Sequence, residues 1–108
     1  MPNFPDPFVG ADPKQLSKAD LIQAIRIDIA GELEAMFLYD AHARATDDEL
    51  VRKTLFEIRD EEREHTGELI SLLRYLDPTE TDLLLEGQGE VREKAEKLGV
   101  DFKRLLSE

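Results

Sequence analysis

The strongest constraint on this chain is a pair of helical stripes, each interrupted by ionisable residues. Ile22, Ile25, Ile29, Glu32, Met36, Tyr39 and Ala43 follow one another at alternating steps of three and four. Val51, Leu55, Ile58, Glu62, His65, Leu69, Leu72 and Leu76 keep the same alternation. Such spacing lays one continuous stripe along each helix, the seam that packs against a neighbouring helix. Glu32, Glu62 and His65 stand in those seams where Leu or Ile is expected. A carboxylate buried there without a partner costs several kcal/mol by desolvation. Something must compensate, and a metal ion is the leading candidate.

The boundaries of the two stripes are written in capping residues. Ser17 is a good N-cap, Asp20 supplies the acid three positions on, and Leu16 and Leu21 form a hydrophobic staple. The first helix is expected to run to about Ala45. Thr46-Asp47-Asp48-Glu49 makes the next junction, with Thr46 or Asp47 as N-cap and acids on the helix dipole. A connection this short folds the second helix back antiparallel to the first. The second helix is expected to end near Leu76, before Asp77-Pro78. Arg52, Lys53, Glu57, Arg59, Asp60, Glu61, Arg63 and Glu64 read as its solvated face.

Thr79-Glu80-Thr81-Asp82 offers a further cap, so a third helix is expected from about 80 to 98. Leu83, Leu84, Val91, Ala95 and Leu98 would be its buried side. Gly87 and Gly89 weaken it by about 1 kcal/mol each relative to Ala and mark a place where it can break. Residues 1–14 hold four of the five prolines and read as an extended arm, with Phe4, Phe8 and Val9 as anchors on a neighbour. The domain reading is an arm over 1–14, a helical hairpin with a third helix over 15–98, and a tail over 99–108, in which 101–107 add a turn or two. No strand pattern or internal repeat is present, and the fold class is all-α.

Composition narrows the function. At 108 residues the chain is one domain, and its net charge of −11 argues against nucleic-acid binding and favours cations or basic protein surfaces. With no cysteine, disulfides, thiolate zinc sites and cysteine nucleophiles are excluded. No signal peptide is visible and no apolar run approaches the roughly 20 residues of a membrane span, so a cytoplasmic protein is expected. The first helix is apolar around nearly its whole circumference, with Leu21, Ala24, Ile27, Ala30, Leu33, Ala35, Phe37 and Leu38 outside the seam. One partner helix cannot cover it, so the chain is expected to form a homo-oligomer.

Glu62-x-x-His65 puts a carboxylate and an imidazole one turn apart on one face. Glu32 lies about 14 positions before the turn near residue 46, and residues 62 to 65 lie about 16 to 19 after it. At about 1.5 Å rise per residue these heights differ by only a few Å, so the three side chains converge. An ExxH alone occurs often by chance, and a buried Glu–His ion pair that fixes register is the plain alternative. Carboxylate di-iron bundles use one Glu from each of two helices and a Glu-x-x-His from each of the other two. This chain supplies half of that set, and two copies about a two-fold axis would supply all of it. Oxygen and imidazole donors suit Fe(II), Mn(II) or Zn(II) alike. Tyr39, seven residues after Glu32 on the same seam, is a candidate donor to a ligand carboxylate or a redox neighbour. His42 lies beside the seam and reads as interfacial or surface, and Glu34 points away from it.

On AIRIDIAGELEAMFLYDAHA and IRDEEREHTGELISLL the sequence resembles the encapsulated ferritins, and more loosely from about residue 15 to 98. The resemblance implies half of a ferritin-like four-helix bundle in each chain, completed by dimerisation. It implies a ferroxidase that oxidises Fe(II) to Fe(III) with oxygen at a centre of two Fe ions per dimer interface. Glu32, Glu62 and His65 are then iron ligands and Tyr39 a neighbour in the catalytic centre. It further implies a ring of dimers such as a decamer, housed in an encapsulin nanocompartment whose shell provides the storage volume. Two positions depart from the family pattern: Gly31 stands where an acid paired with the one matching Glu34 receives iron, and Leu38 replaces an aromatic residue. No clear Gly-Ser-Leu-like docking peptide follows residue 98. Two other readings compete with a ferroxidase. One is a rubrerythrin-like peroxidase, which usually needs a cysteine-rich iron domain that this chain lacks. The other is a non-enzymatic helical scaffold with structural metal.

Overall fold

The computed structural model describes residues 15–102, and the expected arm over 1–14, with most of the tail, lies outside them. Three helices follow in order: α1 (Lys18–Arg44), α2 (Glu49–Leu76) and α3 (Pro78–Leu98). There is no strand among the described residues, so the class is all-α as the sequence predicts. None of these helices is long and apolar enough to cross a membrane. The chain divides into two compact units, one ending at Leu76 and the other beginning at Asp77.

The first unit is the hairpin of α1 and α2. The Ser17 hydroxyl accepts from the Asp20 N–H at 3.1 Å and caps α1 as expected. The cap of α2 is one residue later than the sequence suggests. Asp48 accepts from the Val51 N–H at 3.1 Å, while the Thr46 hydroxyl accepts from the Asp48 N–H at 3.2 Å and shapes the turn before it. Both aspartates and the threonine are good caps, so composition alone could not rank them. Arg52 closes the turn, its Nε donating to the carbonyls of Ala43 at 3.3 Å and Thr46 at 3.1 Å. The Ala43 carbonyl lies in the last turn of α1, which leaves acceptors unpaired, and the Thr46 carbonyl in the connection after it.

The buried side of α2 is offset from the expected stripe. Thr66 and Leu73 are buried, one position beyond His65 and Leu72, and Leu72 stays 48% exposed. A turn of 3.6 residues drifts by about 20° per heptad against a 3.5-residue stripe, and over the length of α2 that drift carries His65 and Leu72 to an edge. The solvated-face reading also fails at Arg59. Its side chain is only 18% exposed and its Nη1 donates to Asp40 Oδ1 at 2.7 Å across the hairpin. The guanidinium lies 4.5 Å from the centre of the Phe56 ring, and Arg44 approaches the same ring at 5.6 Å. Stacking on an aromatic face covers the flat of the guanidinium and leaves its N–H edge for the carboxylate.

In the second unit, α3 starts two residues before the expected position near 80. Asp77 is the N-cap, accepting from the Glu80 N–H at 3.2 Å, and Pro78 takes the first helical position, where its missing N–H costs nothing. Helix α3 runs through Gly87 and Gly89 without a break. Two glycines cost about 2 kcal/mol of propensity, which the surrounding Leu, Glu, Lys and Arg residues offset. Gly99, at φ 75°, then ends it: the Val100 N–H reaches back to Ala95 at 2.8 Å and the Gly99 N–H to Glu96 at 3.2 Å. This paired closure needs a left-handed residue, which glycine adopts without a Cβ clash. Of the side chains expected to be buried on α3, only Ala95 is. Leu83, Leu84, Val91 and Leu98 are exposed by 45% to 80%.

The Asp40 carboxyl is held below the usual carboxylate range by its hydrogen bonds from Arg44 and Arg59. A carboxylate with a depressed pKa contributes stability that is complete above the unfolded-state pKa and lost as pH falls through the folded one. Asp40→Asn should therefore be less stable than the parent at neutral pH, with a gap that closes below the ordinary carboxylate range. Metal-free thermal melts of both proteins between pH 7 and pH 2.5 check this, and a gap independent of pH would refute it.

Candidate metal centre

The hairpin brings Glu32 of α1 together with Glu62 and His65 of α2. One ligand atom from each lies within 4.8 Å of the others. His65 Nδ1 stands 3.5 Å from Glu62 Oε2 and 3.9 Å from Glu32 Oε2. None of these separations is a sound hydrogen bond. They suit a shared cation better. With bonds of about 2.0–2.2 Å to oxygen and nitrogen, two ligands of one metal lie roughly 3 to 4.4 Å apart.

Local structure explains the convergence. Glu62 and His65 are three residues apart on α2 and so point the same way. Thr66 follows, its hydroxyl donating to the Glu62 carbonyl at 2.9 Å, so a polar group in the buried stripe is satisfied by its own helix. Glu32 has no such provision. Its Oε2 is buried and has no hydrogen-bond partner among the described residues. A buried carboxylate oxygen without a donor costs more than a made hydrogen bond returns. Two carboxylates and an imidazole, one oxygen of them orphaned, are what a hard or borderline divalent cation binds.

Exposure differs sharply across the trio. The Glu62 side chain is 17% exposed and Glu32 26%, while His65 is 52% exposed. The centre thus lies at an edge of the hairpin. An open groove of about 430 Å³ holds Glu32 and Glu62 with Asp28, Gly31, Ala35 and Tyr39. A second groove, of about 650 Å³, holds Glu32 and His65 with Glu68, Leu69 and Leu72. Tyr39 therefore shares the groove of the two carboxylates, as its place on the stripe predicts. His42 is exposed. Reading by stripe alone misses Asp28 and Glu68, which flank the centre one turn from Glu32 and His65. The signal was available, because four-residue and three-residue steps also connect those pairs.

Comparison with known proteins places this chain in a family. The family model described as "Ubiquinone biosynthesis protein COQ7" matches residues 19–86, which include all three residues of the cluster. A ferritin-like-encapsulin shell fusion protein of Pyrococcus furiosus is 41% identical over 80 residues, covering 74% of this chain and 23% of that protein. An encapsulin nanocompartment cargo protein of Myxococcus xanthus, EncC, is 40% identical over 73 residues, covering 68% of this chain and 56% of that one. The chain thus spans less than two thirds of either relative. The crystal structure of an encapsulated ferritin domain from Pyrococcus furiosus superposes with a TM-score of 0.75 at 37% identity, over 85% of this chain and 94% of that one. Over nearly the whole of that domain the helices match as well as the sequence, and the chain belongs to the encapsulated ferritins, a ferritin-like family.

Proposed function

We propose that this protein is a ferroxidase, oxidising Fe(II) to Fe(III) at a di-iron centre that forms between two copies of the chain. The observation that carries the reading is the meeting of Glu32, Glu62 and His65, with Glu32 Oε2 buried and without a hydrogen-bond donor. Iron is the substrate here: each Fe(II) gives one electron, and two ions at one centre supply a pair to oxygen or peroxide. The chain contributes binding, orientation and dryness. Glu32 and Glu62 offer anionic oxygens that favour the more highly charged product ion, and His65 offers a neutral nitrogen. Tyr39 lines the same groove, and in this reading its hydroxyl donates a hydrogen bond to a ligand carboxylate and holds its orientation.

Three ligands are too few for two ions. Two copies double the set and let the Glu62 carboxylates bridge at a two-fold axis. The half-exposed His65 and the exposed Leu72 beside it support this, since both lie on the edge that a second hairpin would cover. Apolar exposure at Leu33 and Phe37 on α1 adds surface for further contacts, and a ring of dimers such as a decamer would use it. Relatives named as encapsulin cargo and as a shell fusion support a place for this chain inside an encapsulin nanocompartment, with mineral stored in the shell.

Anaerobic Fe(II) titration followed by oxygen, read by visible absorbance, tests the activity. The parent should show rapid oxygen-dependent Fe(III) formation. Glu32→Ala, Glu62→Ala and His65→Ala should each lose at least about tenfold in rate with helicity kept, because even outer partners of metal ligands are worth that much. Tyr39→Phe should fall less, having lost a hydroxyl alone. Parent rates in all three ligand variants would end the metal-site reading, and metal binding without turnover in the parent would leave a helical scaffold.

Assembly is tested separately by analytical ultracentrifugation. Metal that binds only the associated state must favour that state, so added Zn(II) should shift the protein to larger species. A 12.3 kDa monomer that persists with metal would overturn the two-chain centre.

A crystal soaked in Fe(II) or Zn(II) should show two equivalent ions about 3.5–4 Å apart across a homodimer interface. One ion held within a single hairpin is the opposite result.

A further inference from the structure

The candidate ligands cannot hold the two helices in register by themselves. Glu32 and Glu62 repel one another, and His65 Nδ1 makes no hydrogen bond of good length with either. Yet register matters acutely at this centre. One residue of slip between α1 and α2 is about 1.5 Å, while metal–ligand distances tolerate about 0.2 Å.

Arg52 anchors the hairpin at its turn, through the carbonyls of Ala43 and Thr46. Between that anchor and the ligands stands Asp40 with Arg59. Asp40 is eight residues, about two turns, beyond Glu32 on α1, and Arg59 is three residues, under one turn, before Glu62 on α2. Both oxygens of Asp40 are engaged, Oδ1 by Arg59 Nη1 at 2.7 Å and Oδ2 by Arg44 Nε at 2.9 Å. Arg59 is fixed on three sides: by Asp40, by Asp60 Oδ1 at 3.1 Å from its Nε, and by the Phe56 ring. A guanidinium so held has one position along the helix axis, which a flexible surface ion pair does not.

The geometry points to Asp40 and Arg59 as positioning residues for the metal centre, their ion pair setting the register at which Glu62 and His65 meet Glu32. This assignment rests on reading those three as ligands. Arg44 pairs with Asp40 along its own helix and meets α2 only at the Phe56 ring, 5.6 Å from its centre, a contact without a hydrogen bond across the hairpin, so it sets the register less than Arg59 does.

Zn(II) titration by calorimetry on the full chain tests the assignment, with Arg59→Lys, Asp40→Asn, Arg44→Gln and Glu62→Ala beside the parent. A second readout needs no metal. The chain has no cysteine, so spin labels go cleanly onto Gln23→Cys and Ser71→Cys, diluted with unlabelled protein, for pulsed-resonance distances. Arg59→Lys keeps the charge and loses the fork, and it should weaken Zn(II) binding roughly tenfold and shift or broaden the label distance. Asp40→Asn should do the same, while Arg44→Gln should stay clearly closer to the parent in both. Unchanged affinity and distance in Arg59→Lys and Asp40→Asn would overturn the assignment, even if their melting temperatures fall. An equal loss in Arg44→Gln would overturn it too, by showing a mere charge effect. If Glu62→Ala binds Zn(II) as the parent does, the ligand reading itself has failed and the positioning role goes with it.

Discussion

Everything in the hairpin depends on two carboxylates facing each other across a helix seam. Glu32 and Glu62 converge where apolar side chains would have closed the seam. Two like charges in a poorly hydrated place repel strongly, because the surroundings screen them less than water does. The hairpin is held on both sides of this place: by the Arg52 anchor, the buried Ala43 and the Asp40–Arg59 pair stacked on Phe56 towards the turn, and by the buried Ile25 and Leu73 towards the open end. The cluster itself is left open, with grooves on either side of Glu32. That division places rigidity next to the centre and accessibility at it.

Much of this was legible in residue spacing. The three-and-four alternation exposed Glu32, Glu62 and His65 as intruders in apolar stripes, and the short Ala45–Asp48 connection brought them to one level. Capping chemistry set the start of α1 at Ser17 and the end of α2 at Leu76. What spacing could not reveal was which charged residue leaves the solvent. Arg59 sits among seven other polar residues on α2, and only the acid at position 40 and the ring at 56 distinguish it. A long side chain reaches across a seam from its edge, so a stripe drawn through Cβ positions does not capture it. The shift of burial from His65 and Leu72 to Thr66 and Leu73 has a similar origin, since a repeat of 3.5 and a turn of 3.6 part company over 28 residues.

Helix α3 was misread for a different reason. Pattern reading assumes that an apolar face is covered by the same chain, yet Leu83, Leu84, Leu85, Val91 and Leu98 all remain exposed. It also starts two residues earlier than expected, because a proline that ends one helix can open the next at its first position. One residue served both ends.

The hairpin's connectivity also bears on the order in which this molecule comes together. Its two helices are neighbours in sequence and joined by four residues, so the contacts nearest the turn close short loops, and most contacts in the chain are local. Chains dominated by such local contacts fold in microseconds to milliseconds. Any joining of copies is instead second-order, and copies carrying a net charge of −11 repel during approach. Hairpins therefore form before any such joining, with Arg59 already seated on Asp40. The encounter quickens as dissolved salt shortens the reach of that repulsion. Speed of folding is local to the chain, and the speed of any assembly is set by its surroundings.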